Sequence, residues 1–156
     1  MKRFLIILIL ALIPVGLSAQ SSMNKFFKER SGAQGYQTIV YGRRMLDMMK
    51  EDASPDVTSL LNRIRSIRIV SCKKPEDEIV MHARKDVMES MEYETISQIN
   101  ENGNRSEFYI SEEHIDTPEV SFVMIVSGPQ GSAVMEIIGD FDVKDISKLT
   151  IIGQKR

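Results

Sequence analysis

The sequence contains a single cysteine and no tryptophan in 156 residues. One cysteine excludes an intramolecular disulfide framework and a zinc ribbon. It also lacks a charge excess of either sign. Twenty Lys and Arg stand against 22 Asp and Glu, a formal net charge of −2, which gives no reason to expect nucleic acid as a partner. There is no phosphate-binding loop, no Gly-x-Ser-x-Gly elbow, no dinucleotide fingerprint and no His-Glu-x-x-His pair. No repeat, low-complexity tract or long linker interrupts the chain. What is present is a balance of 42% hydrophobic and 27% charged residues, that of a globular chain of one domain rather than a disordered or collagen-like one.

The long apolar run lies at the start. Lys2 and Arg3 precede Phe4–Leu12 (FLIILILAL), Pro14 and Gly16 follow, and Leu17-Ser18-Ala19-Gln20 brings small residues. This order is that of a secretory signal peptide over residues 1–20, with cleavage after Ala19 or Gln20. The alternative is a membrane anchor, but Phe4 to Leu17 offers 14 largely apolar residues where a spanning helix needs roughly 20. The absence of a cysteine near residue 20 gives no support for lipid attachment. The expectation is therefore an exported chain, in the periplasm, associated with the outer membrane or extracellular, with no transmembrane span in its mature form. Residues 21–156 then form a single domain of net charge −4, because Lys2 and Arg3 leave and no acid does.

In that domain, residues 23–30 place Met23, Phe26 and Phe27 at helical spacing, and Ser31-Gly32 ends the run. Residues 36–41 (YQTIVY) read as a strand, and 43–51 as a helix. Ser54-Pro55-Asp56 reads as a helix start, with a capping hydroxyl, a proline in the first turn and an acid at the positive end of the dipole. Val57, Leu60, Leu61 and Ile64 form its buried stripe. Residues 66–72 alternate as a strand, with Ile67 and Ile69 on one face and Arg68, Val70 and Cys72 on the other.

Pro75-Glu76-Asp77-Glu78 opens the longest helix. Ile79, Ala83, Val87 and Met91 lie along its inner face, Val80 and Met88 widen the stripe, and Arg84, Lys85, Asp86 and Glu89 are assigned to solvent. The second half reads as a meander of strands at 93–100, 105–111, 119–127 and 132–138, with hairpin signals at Asn102-Gly103 and Gly128–Gly131. Residues 119–127 are apolar on both faces and should lie centrally. Asp142 caps a last helix carrying Val143, Ile146 and Leu149. The order predicts an α+β domain: a largely antiparallel sheet of about five to six strands with helices mostly on one face. The first two strands, joined through helices, can be parallel neighbours with a right-handed crossover.

Few residues invite chemistry. Cys72 in an exported chain is a thiol best protected by burial; a nucleophile would need a base, and only His82 and His114 exist. His82 flanks the inner face of the long helix, one position from Ala83. Glu112, Glu113, His114 and Asp116 crowd one segment, but adjacent residues of an extended chain point apart, so a solvated loop is the simpler reading over a zinc site. Asp140, Asp142 and Asp145 line the last helix start, where capping suffices without calcium. The helical methionines Met45, Met48, Met49, Met81, Met88 and Met91 read as core filling before an adaptable binding surface.

The most asymmetric charge feature is Arg63 to Lys74, where Arg63, Arg65, Arg68, Lys73 and Lys74 occur without an acid. It is the candidate surface for an anionic partner: an envelope protein, a glycan or a lipid headgroup. No catalytic residues, metal ligands or cofactors are assigned.

Taken in order, the signal ending in Ser-Ala-Gln, the helix leading into Ile64-Arg65-Ser66-Ile67-Arg68-Ile69, the long helix running into Tyr93-Glu94 and the closing Gly139-Asp140-Phe141-Asp142-Val143-Lys144-Asp145-Ile146-Ser147-Lys148-Leu149 resemble a family of small exported envelope proteins of Bacteroidetes, domain of unknown function 4252. The resemblance spans the mature chain. It implies an exported single domain and carries no activity and no functional residues. The leading expectation is a non-enzymatic binding or accessory domain. The alternatives are a hydrolase acting on envelope material and a homo-oligomer sealed through a sheet edge or the Phe26-Phe27 helix.

Overall fold

A computed structural model of the chain describes residues 22–73, 78–89, 93–113, 119–142 and 144–146. Residues 1–20, expected to be a signal segment, together with Lys74 to Asp77, Met91, His114 to Asp116, Val143 and Leu149, lie outside the described residues.

The elements follow in the order α1 (Ser22–Arg30), β1 (Gln37–Tyr41), α2 (Arg43–Met48), α3 (Pro55–Arg63), β2 (Ile64–Cys72), α4 (Glu78–Glu89), β3 (Glu94–Glu101), β4 (Asn104–Glu113), β5 (Glu119–Gly128) and β6 (Gly131–Gly139). The strands form one six-stranded sheet in the order β1-β2-β6-β5-β4-β3. Every neighbouring pair is antiparallel. The α+β class and the antiparallel sheet are as the sequence predicts. The first two strands are neighbours, but antiparallel rather than parallel, with Ile39 opposite Ile69. The helices between them reverse the chain instead of carrying it over the sheet. The crossover belongs to α4, which takes the chain from β2 to the far edge at β3. The meander β3–β6 then returns, and β6 closes the gap beside β2.

The meander is built by tight turns. Asn102 (φ 50°) and Gly103 (φ 78°) give the two left-handed residues of a two-residue hairpin loop, whose twist suits the strands on either side. Glu101 and Asn104 pair directly across it.

Alternation along the strands builds two cores. One face carries Val70, Tyr109, Val123, Ile125 and Val134 beneath Met23, Phe26 and Phe27 of α1 and Ile79, Val80, Ala83 and Val87 of α4. The other carries Ile67, Phe122 and Ile137 beneath Leu46 of α2 and Val57, Leu60 and Leu61 of α3, with Phe141. α1 and α4 thus share one face, and α2 and α3 cover the β1–β2–β6 end of the other, so the helices lie on both faces rather than mostly on one. β5 is apolar on both faces because it has a helical cover or core on each side.

Several local expectations change. Ile64 belongs to β2, not to the end of α3, although it is buried beside the α3 stripe. Ser54 has the extended geometry of an N-cap, yet its side chain makes no capping bond; its carbonyl accepts from Thr58. Asp142 does cap, accepting from the Lys144 N–H at 3.0 Å. Met88 is 70% exposed and widens no stripe. Met45, Met48, Met49 and Met81 are exposed rather than core-filling. Phe26 and Phe27 are buried at 0% and 4% exposure, so the α1 aromatic pair is core and offers no surface to a second copy.

Candidate functional site

The basic stretch is not brought together as one free surface. Arg63 pairs with Asp145 at 2.8 Å and Arg65 with Glu119 at 2.8 Å. Arg68 points under α1 and donates to Glu136, its direct opposite on β6. Lys73 is exposed after β2, and Lys74 lies outside the described residues. Three of the five cations are therefore each matched by their own carboxylate, Arg63 from the end of α3 and Arg65 and Arg68 from β2.

Cys72 is partly buried and packs against the α1–α4 core. His82 is on the outer flank of α4, as its position predicts, and its Nδ1 lies 2.6 Å from Arg30 Nη2. A guanidinium only donates, so Nδ1 accepts. Arg30 also donates to the Phe26 carbonyl at 3.2 Å and lies 4.2 Å over the Phe26 ring, tying α1 to α4. Asp145 is occupied by Arg63 and Asp142 by its cap, while Asp140 is exposed. Among the described residues, no group of His, Cys, Asp and Glu is arranged to hold a metal ion.

The chemistry that sequence reasoning missed lies beneath α4. The sheet face covered by α1 and α4 contains two carboxylates, Glu107 at 1% and Glu136 at 0% exposure. Buried carboxylates require cations and hydrogen-bond donors. Glu136 Oε2 accepts from Arg68 Nε at 2.7 Å and from Arg68 Nη2, while Oε1 accepts from Ser121 Oγ at 2.8 Å. Tyr93 joins that chain through Ser121 at 3.0 Å. The Arg68 guanidinium lies 4.6 Å over the Phe27 ring.

Glu107 is held by more partners. Arg84 reaches down from α4 with its Nε–Nη2 edge, at 2.8 and 2.6 Å to Oε2. Arg105 Nη2 donates to Oε1 at 2.8 Å, and the Tyr109 hydroxyl donates to the same oxygen at 3.1 Å. Burial pushes the Glu107 pKa up, but the Arg84 hydrogen bonds together with the Arg84 and Arg105 charges outweigh it, so the carboxyl is held below its usual range. Burial, and then the neighbouring Glu107 charge, push the Tyr109 hydroxyl up. Arg84, assigned to solvent by its place on the helix, is thus an inward residue. The available signal was the i, i+2 row Arg105-Glu107-Tyr109 opposite Phe108 and Ile110: in a sheet with a core on each side, the polar row is as buried as the apolar one.

This cluster borders a cleft of about 500 Å³ lined by Val80, Met81 and Arg84 of α4, Gly103 and Arg105 of the β3–β4 hairpin, and Ser127, Gly128 and Pro129 of the β5–β6 hairpin. Its shape follows from the two turns meeting the first half of α4. A side chain at Gly128 would collide with that of Asn104, which packs across the gap between the hairpins. Two guanidiniums face one carboxylate, leaving one positive charge in excess. Arg105 Nε is buried and has no hydrogen-bond partner.

No helix among the described residues is long and apolar enough to cross a membrane. A comparison with curated proteins found no match. A family model, Domain of unknown function (DUF4252), matches residues 27–149, which runs from the core phenylalanine of α1 to beyond the last described turn and covers well over half of the chain. On that match, the chain belongs to the DUF4252 family.

Proposed function

We propose that the protein is an exported, non-enzymatic binding or accessory domain of the cell envelope, and that the cleft under α4 is where it binds. The observation that carries this reading is the cleft itself. At about 500 Å³ it falls within the size range of small-molecule sites, and it brings the Arg84 and Arg105 guanidiniums together with apolar surface from Met81 and Pro129. The two guanidiniums that line it, with a hydroxyl, hold the buried Glu107 carboxyl behind them below its usual pKa range, an arrangement that orients charge rather than one that exchanges protons. Export rests on the order of charge, apolar run and small residues in positions 1–20.

Two measurements test the reading. Residues 1–20 fused to a reporter that is active only outside the cytoplasm should yield activity, and a silent fusion removes the exported part. Low-molecular-weight envelope extract added to the labelled protein should shift the backbone amide signals of Met81, Gly103, Arg105 and Gly128. An extract that moves none of them, or that is chemically converted by the protein, refutes a binding role for the cleft.

A further inference from the structure

We infer that the cleft selects a singly charged carboxylate carrying a short apolar chain. This rests on the reading of the cleft as a binding site and adds the chemistry of its ligand.

The charge balance comes first. Arg84 and Arg105 both line the cleft, and both are bonded to the single carboxylate of Glu107. Both Glu107 oxygens are filled, so the surplus of one positive charge is available to a ligand. Donors remain on both guanidiniums. Arg84 spends its Nε–Nη2 edge on Glu107, which leaves the opposite edge, with Nη1, outside that fork. Arg105 gives only Nη2 to Glu107, and its side chain, 42% exposed, keeps the rest of its head at the cleft wall. Guanidinium edges match the planar two-oxygen geometry of a carboxylate.

A surplus of one also selects by charge. A monoanion closes the balance, a doubly charged phosphate leaves a negative excess in a partly desolvated site, and a cation meets repulsion. Beside the guanidiniums, Met81 and Pro129 offer apolar surface, and Met81 is 57% exposed on a flexible thioether stem that can fold over a chain.

The test is a set of titrations followed by amide and guanidinium N–H signals, using hexanoate, acetate, inorganic phosphate and hexylammonium on the full chain. Hexanoate should shift the cleft signals and bind more tightly than acetate, by about fourfold for each methylene the cleft covers. Phosphate should bind more weakly than hexanoate, and hexylammonium should leave the signals unmoved. Arg105→Gln should weaken hexanoate at least tenfold. Met81→Glu, at an exposed site, should weaken it without disturbing the rest of the spectrum, which guards against a merely unfolded variant.

Equal binding of hexylammonium and hexanoate, tighter binding of phosphate, or full hexanoate affinity in both variants would each overturn the inference. If envelope extract moves the cleft signals and none of the four probes does, the anion assignment alone fails. If neither extract nor probes move them, the binding role fails with it.

Discussion

The Arg68–Glu136 pair should behave as a unit whose halves are indispensable and whose whole is replaceable. The two residues stand directly opposite each other on β2 and β6, with side-chain exposures of 17% and 0%. Arg68→Met leaves the Glu136 carboxylate under α1 with only Ser121 donating to it. Breaking a buried pair from one side costs about 3–5 kcal/mol, against a total stability on the order of 5–15 kcal/mol. For a domain of this size that is a fall in Tm of roughly 6–20 °C. Glu136→Leu should fall at the lower end, because the partly exposed guanidinium keeps its place over Phe27 and can lean towards water.

The double variant Arg68→Met/Glu136→Leu removes both charges and fills both places with apolar side chains of similar reach. It should lie within about 1 kcal/mol of the parent or above it. Urea unfolding followed by circular dichroism gives all four corners of the cycle, with a coupling of at least about 3 kcal/mol expected. A double variant destabilised by the sum of its singles would refute the argument, because the pair would then contribute as two independent residues.

Glu107 should govern part of the acid response. Its folded pKa is lowered, so its contribution is complete at neutral pH, above the unfolded carboxyl value, and is lost as pH falls through the folded value. Glu107→Gln should therefore be less stable at pH 7 and show a shallower acid loss than the parent in pH-dependent urea midpoints; parallel curves would contradict the assignment. Gly139→Ala should destabilise by on the order of 3 kcal/mol, because its Cβ would clash with the Arg63 carbonyl and sit 2.8 Å from the Ile64 Cα, neither of which can yield without moving β2; a Tm within a degree of the parent would show that the strands can separate there. Leu60→Ala, at a fully buried position, should cost about 2–5 kcal/mol, whereas Met88→Lys, on a side chain 70% exposed, should leave the urea midpoint within error of the parent. Equal effects would place the core wrongly.

Much of the framework was legible because it rests on local chemistry. The left-handed pair Asn102-Gly103, the proline at the start of α3 and the stripe Ile79, Ala83, Val87 each announce their element through constraints that act within a few residues. Helix-to-sheet topology was less so. Whether β2 lies parallel or antiparallel to β1 depends on where α2 and α3 send the chain, and no residue of β1 or β2 encodes that. The inward turn of Arg84 was hidden for a related reason: its partner Glu107 is 23 positions away, on a strand whose polar row looks like a solvent face until α4 is laid across it. The basic stretch is altered in the opposite sense. The counter-charges of Arg63, Arg65 and Arg68, which are Asp145, Glu119 and Glu136, are remote in sequence, so the local excess is reduced on folding while Lys73 stays exposed.

The placement of these buried charges bears on how the sheet keeps its register. β5 (EVSFVMIVSG) is apolar on both faces, so sliding it by one residue exchanges apolar for apolar and is weakly opposed. Its neighbours supply what it lacks. A one-residue slip of β6 would carry Glu136 away from Arg68 to the opposite face, towards the apolar cluster of Leu61, Ile67 and Phe122. The same slip in β4 would place Glu107 beside Phe108's neighbours and strand Arg84 under α4. Each slip thus replaces a satisfied ion pair by an unpaired buried charge, a penalty far larger than that of a mismatched methyl group. Arg68–Glu136 fixes β6 against β2, and Arg84–Glu107 fixes α4 against β4, so the two pairs hold the ends of the long crossover that the meander must close. The second guanidinium at Glu107, from Arg105, is not needed for that purpose, since Arg84 alone balances the charge. It is this surplus cation, at the rim of the cleft, that a structural account of the face leaves over.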